Sequence, residues 1–141
     1  MYVVSEIRRR RYRGKVPPTI KGPEDVYRLL FPALKGETRE HFVALYLSSR
    51  HHVIAQETIS VGSLNASIVH PREVFRPAIT HAAAALILAH NHPSGDATPS
   101  EEDRAITKRL HEVGSLLGIE LLDHIILANG DYVSMRERKL I

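Results

Sequence analysis

Apolar residues along this 141-residue chain fall into blocks of two kinds. In the first kind they recur every three or four positions. Val26, Leu29, Leu30 and Ala33 do so behind Pro23, Glu24 and Asp25 and ahead of Gly36, which predicts a helix over about 23–35. Proline suits a first helical turn, acids there oppose the positive end of the helix dipole, and glycine stops the repeat. A second helix, about 71–83, opens at His70-Pro71. A third runs from Ser100 to about Leu117, with Ile106, Leu110, Val113 and Leu117 on one face and Gly118 as its cap. In the second kind of block the apolar run is continuous. Phe42, Ala44 and Tyr46 interleave with Val43, Leu45 and Leu47, so this strand is expected to be buried on both faces. Arg50-His51-His52 turns the chain, and Val53 to Ser60 returns as the other arm of a hairpin. Ala84 to Ala89 is a short apolar strand, with a polar loop from Asn91 to Pro99 after it. Ile119 to Leu127 is another strand, followed by an Asn129-Gly130 turn and a last strand from Tyr132 to Met135. Strands alternating with helices predict an α/β class with a mixed sheet packed between helices.

Composition narrows the chemistry. At 43% hydrophobic and 25% charged the chain is that of a soluble globular protein. It has no cysteine, which excludes disulfides, Cys-ligated zinc, iron–sulfur clusters and a thiol nucleophile. No run is long and apolar enough to span a membrane, and the N-terminus lacks the apolar centre of a signal peptide, so the cytoplasm is expected. The net charge of +3 is unevenly spread. Residues 1–21 hold seven cations against the single acid Glu6, net +6, and the other 120 residues hold twelve cations against fifteen acids, net −3. Residues 1–22, with Val16-Pro17-Pro18, therefore read as a basic, extended leader, and 23–141 as the domain. The run Arg8–Arg13 offers a weak nucleic-acid contact through phosphates, with Tyr12 its one aromatic and no further interleaving for stacking on bases. The other reading is a solvated leader.

The chemistry concentrates in His90-Asn91-His92-Pro93-Ser94-Gly95 and Ser100-Glu101-Glu102-Asp103. Residues two apart on a strand share a face, so His90 and His92 can aim two imidazoles at one point. The ten residues between His92 and Asp103 are enough to bring the first turn of the third helix back to it. Two imidazoles and a carboxylate make a three-ligand set for Zn2+, which leaves a fourth position for water. Ser100-x-x-Asp103 also fits a capping box, a use compatible with catalysis by Ser100.

His90-x-His92 with Asp103 beyond, and Ser100 three residues before it, resembles the JAMM (MPN-plus) metalloprotease motif. The bacterial RadC family within that superfamily is the nearer likeness, through His70-Pro71-Arg72-Glu73-Val74-Phe75, the whole run from His90 to Asp103, and Leu116 to Ile126. The resemblance covers about 23–141. It implies a JAMM/MPN-type fold, zinc held by His90, His92, Asp103 and a water, and a peptide or isopeptide substrate. It also implies a glutamate acting as general base just before the first core strand. Glu40 occupies that place, and Glu57 is its competitor. Ser100 would then donate a hydrogen bond to the oxyanion that forms. RadC relatives also carry a DNA-repair label, and a second reading follows from it: a DNA-associated accessory module with a structural or inactive zinc site. Fuller members have a helix-hairpin-helix region upstream, to which residues 1–22 do not correspond. A nucleobase deaminase would need a Cys pair that this chain cannot supply.

The remaining histidines are assigned with less. Asp123 and His124 are neighbours on a strand and face opposite ways, so at most one can support the zinc ligands from behind. His41, His51, His52 and His111 read as solvated surface.

Overall fold

The computed structural model describes residues 10–11 and 17–141. A sheet in the order β1-β3-β2-β4-β5-β6 forms its centre. β1 (Arg10–Arg11) is a two-residue edge on β3 (Val53–Val61). β2 (His41–Leu47) lies antiparallel between β3 and β4 (Ala85–Asn91). β5 (Glu120–Ala128) runs parallel to β4, and β6 (Asp131–Ser134) closes the other edge antiparallel to β5. Helix α1 (Pro23–Leu34) covers one face, while α2 (Pro71–Thr80) and α3 (Glu101–Leu117) cover the other. This is the mixed α/β sandwich the sequence pattern implies.

The strand alternation builds two cores. Phe42, Ala44, Tyr46, Leu86 and Leu88 face α2 and α3, where they meet Val74, Phe75, Ile106 and Leu110. Val43, Leu45, Leu47, Ile87 and Ala89 face α1, where they meet Val26, Leu30 and Leu34. Each large aliphatic buried in this way contributes roughly 1.5–3 kcal/mol. The Tyr46 hydroxyl, fully buried, donates to the Val74 carbonyl at 2.6 Å and so ties the sheet to α2. Ile20 joins the α1-side core, and its N–H donates to the His51 carbonyl at 2.9 Å.

Three boundaries differ from the sequence reading. α2 stops at Thr80 rather than near 83, because Ala82 turns left-handed at φ 52°. β3 extends to Val61, and a bulge between the Phe42 and Val43 pairings absorbs the extra residue. β4 carries His90 and Asn91 within it, where the apolar run alone suggests an end at Ala89. Gly118 caps α3 at φ 72°, the left-handed conformation expected there. Of the basic run, only Arg10 and Arg11 fall among the described residues, so the nucleic-acid contact expected of Arg8–Arg13 lies largely outside them. No helix among the described residues is long and apolar enough to cross a membrane.

Candidate metal centre

The C-terminal end of β4 places His90 in line with Leu86 and Leu88, on the face that α3 covers. His92 follows one residue beyond the strand, and its N–H donates to the Leu127 carbonyl of β5 at 2.8 Å. The loop then turns at Gly95, at φ 90°, and seats Ala97 against Ile126, Ala128 and Val133. That anchor returns the chain to the start of α3. There Ser100 and Asp103 form the capping box: Ser100 Oγ accepts from the Asp103 N–H at 3.1 Å, and Asp103 Oδ2 accepts from the Ser100 N–H at 2.8 Å. The same carboxylate reaches both imidazoles. Its Oδ1 is 3.1 Å from His90 Nε2 and its Oδ2 3.2 Å from His92 Nε2.

Hydrogen bonds behind the two rings assign their tautomers. Thr107, one turn along α3 from Asp103 and fully buried, donates its hydroxyl proton to the Asp103 carbonyl at 2.6 Å. Its oxygen is therefore an acceptor for His124 Nδ1–H, also at 2.6 Å. His124 is wholly buried, and desolvation drives its pKa well below the ordinary imidazole value. It is thus neutral, with a bare Nε2 that accepts from His90 Nδ1–H at 2.8 Å. His90 is left with a lone pair on Nε2. His92 arrives at the same state by a shorter route, since its Nδ1–H donates to the Asp96 carbonyl at 2.7 Å.

The two Nε2 atoms lie 2.8 Å apart. Two lone pairs so close repel unless a proton or a metal ion lies between them. A tetrahedral zinc site with bonds of about 2.0–2.1 Å separates its donor atoms by roughly 3.3 Å. The three contacts among His90, His92 and Asp103 lie close to that spacing, and the donor types suit zinc. The pKa directions follow the same geometry. Burial pushes the Asp103 carboxyl up, but with protons rather than a metal ion on the facing imidazoles, their hydrogen bonds more than reverse this and hold it far below the usual carboxylate range. Burial pulls His92 down, and the Asp103 carboxylate and the Asp96 carbonyl together raise it above its ordinary value.

Glu40 closes the fourth side. It lies just before β2, and its Oε1 is 3.8 Å from His92 Nε2 while its Oε2 accepts from the Leu64 N–H at 3.0 Å. One donor atom from each of Glu40, His90 and His92 falls within 4.8 Å of the others, a group able to hold a metal. Glu57 is buried on β3 opposite Ala44 and is not part of that group. Ser100 is exposed beside the cluster. A cleft of about 560 Å³, lined among others by Phe31, Leu34, Lys35, Pro93 and Leu127, opens next to His92.

Residues 20–140 match the family model of the RadC-like JAB domain. The chain belongs to this family. Among its relatives, each named only as a UPF0758 protein, that of Alkaliphilus oremlandii is 59% identical over 122 residues, 86% of this chain and 53% of the relative. That of Shouchella clausii is 55% identical over 123 residues, 87% of this chain and 54% of the relative. The Methanosarcina mazei protein is 48% identical over 122 residues, 86% of this chain and 53% of the relative. The chain thus spans about half the length of these relatives.

Several members of this RadC-like site escaped the sequence reading. Thr107 gives no sequence signal beyond its place four residues after Asp103, which puts it on the same helix face. Asp123 and His124 do face opposite ways. His124 backs the His90 imidazole, while Asp123 accepts from the Ser134 hydroxyl at 2.5 Å and the Arg136 N–H at 3.0 Å. His41, His52 and His111 are half-buried rather than solvated, His41 Nε2 standing 3.4 Å from Glu37.

Proposed function

We propose that this RadC-like domain is a zinc-dependent hydrolase of peptide or isopeptide bonds, with His90, His92 and Asp103 as the protein ligands. The observation that carries the reading is the convergence of the His90 and His92 Nε2 atoms on each other and on the Asp103 carboxylate, each ring held from behind through its Nδ1. Zinc on three protein ligands brings the pKa of a bound water down to about 7 and polarises a carbonyl oxygen.

The remaining roles belong to this chain's own groups. Glu40 Oε1 faces the cluster while Oε2 is held by Leu64, so one oxygen is positioned to take a proton from the attacking water. The same oxygen can return that proton to the departing amine nitrogen, the exchange that amide cleavage requires. Ser100 Oγ spends a lone pair on the Asp103 N–H, which leaves its O–H free to donate to a tetrahedral oxyanion. The cleft lined by His92, Pro93 and Leu127 would seat part of an extended peptide next to the cluster.

Glu40→Gln keeps the carboxylate's shape and removes its basicity. Its expected effect is a loss of turnover of roughly 10²–10⁴-fold with zinc retained at one equivalent by elemental analysis. Turnover at the unsubstituted rate would remove Glu40 from the mechanism. Retention of zinc by both His92→Ala and Asp103→Ala would refute the ligand set.

A further inference from the structure

Asn91, the residue between the two histidines, points away from them and does different work. The β2–β4 ladder ends at the Phe42–His90 pair. One step further on, the Asn91 side chain takes over from the backbone. Its Oδ1 accepts from the His41 N–H at 2.7 Å, and its Nδ2 donates to the Arg39 carbonyl at 3.0 Å. Those groups belong to the peptide units on either side of the Glu40 α-carbon. The Glu40 carbonyl itself accepts from the Gly62 N–H at 2.8 Å. The backbone of this half-buried glutamate is thus fixed on three sides, and Asn91, 5% exposed, supplies two of them.

We infer that Asn91 is a positioning residue for Glu40: its carboxamide clamps the chain so that the Glu40 carboxylate reaches both Leu64 and the cluster. The inference rests on the reading of Glu40 as the base. The chemistry demands a carboxamide, because one short side chain must accept from one peptide and donate to the next. Aspartate can only accept and would face the Arg39 carbonyl with a negative charge. Alanine does neither. The end of β4 and the residue after it therefore deliver three functional groups in a row: His90 and His92 as ligands on one side, and between them the amide that sets the distance of the base. A misplacement on the order of 1 Å is enough to cost about a hundredfold in rate.

Two readouts test this. The first uses the metal-free protein and native-state amide hydrogen exchange. In Asn91→Ala the His41 and Leu64 amides should lose protection by at least about tenfold, the first directly and the second because Glu40 is released, while the Val43 amide inside β2 keeps its own. Asn91→Asp, which retains the acceptor, should spare His41 more than Asn91→Ala does, and it serves if the alanine variant folds poorly. The second readout uses the zinc-loaded protein with 4-nitrophenyl acetate as a probe of water activation. Asn91→Ala should lower kcat by at least about tenfold with KM within roughly twofold and zinc at one equivalent. Unchanged protection at both amides overturns the clamp. So does full hydrolysis by Asn91→Ala where Glu40→Gln is inactive, or loss of zinc from Asn91→Ala. If instead Glu40→Gln hydrolyses the probe normally while the two amides lose protection in Asn91→Ala, the base reading fails and the clamp stands.

Discussion

The two faces of the sheet are built from the same strands, yet they bury different things. On the α1 side, β4 contributes Ala85, Ile87 and Ala89 to an apolar cluster, with the buried Asp123–Ser134 pair at its margin. On the α3 side, β4 contributes Leu86, Leu88 and then His90, and the core gives way to a polar row of His90, His124, Thr107 and Asp103. A buried polar group costs free energy unless it is hydrogen-bonded. Each member of this row meets that condition through the next one, and only the Nε2 lone pairs of His90 and His92 are left over. The lesson is one of division: one face supplies cohesion, and the other holds donor atoms at a fixed separation and in a fixed tautomer.

That division can be broken from either side. Asp103→Ala should act most strongly, since the carboxylate serves two partners. Zinc affinity should fall by more than the roughly 10–100-fold typical of residues behind the ligands, and loss of the cap should add about 0.5–2 kcal/mol of destabilisation. Chelator competition and urea melts read the two separately. Leu30→Ala, on the opposite face, should cost about 2–5 kcal/mol of stability and leave zinc at one equivalent. Metal loss from the folded variant would mean that the faces are not independent. Thr107→Val keeps the shape but leaves His124 Nδ1–H without an acceptor. It should lower zinc affinity by roughly 10–100-fold and stability by about 1–3 kcal/mol. An unchanged affinity would sink the tautomer chain. The smallest effect is acidic. His92 holds its proton more tightly than an ordinary imidazole, so protons compete with zinc from a pH above the usual histidine value. As pH falls, affinity should drop by about tenfold per unit for each proton displaced. A flat titration between pH 8 and 6 would contradict imidazole ligation.

The α1-side core was the most legible part of the chain. A strand with both alternating sets apolar, Phe42 to Leu47, can only be a central one, and the helix signals around Pro23 and Gly118 are local. His-x-His and Ser-x-x-Asp were legible for the same reason, because the i, i+2 and N-cap geometries are set within a few residues. What lay hidden depends on register between distant strands. Which of Asp123 and His124 faces the imidazoles is decided by the pairing of β4 with β5, where an irregularity follows Leu86. No local pattern reveals it. Thr107 looks like any threonine inside a helix until His124 is placed beside it. Asn91 reads as a loop residue because its job, spanning to residues 39 and 41, is fifty positions away.

The capping box at the start of α3 carries one more consequence. Asp103 has both of its reciprocal hydrogen bonds with Ser100 whether or not a cation sits before it, and the imidazoles are held from behind by groups that a chelator does not touch. A receptacle that is rigid before its guest arrives should release and regain that guest without unfolding. Loading would then register as a rise in melting temperature rather than as the birth of structure, in contrast to small zinc modules whose fold is the metal's own work.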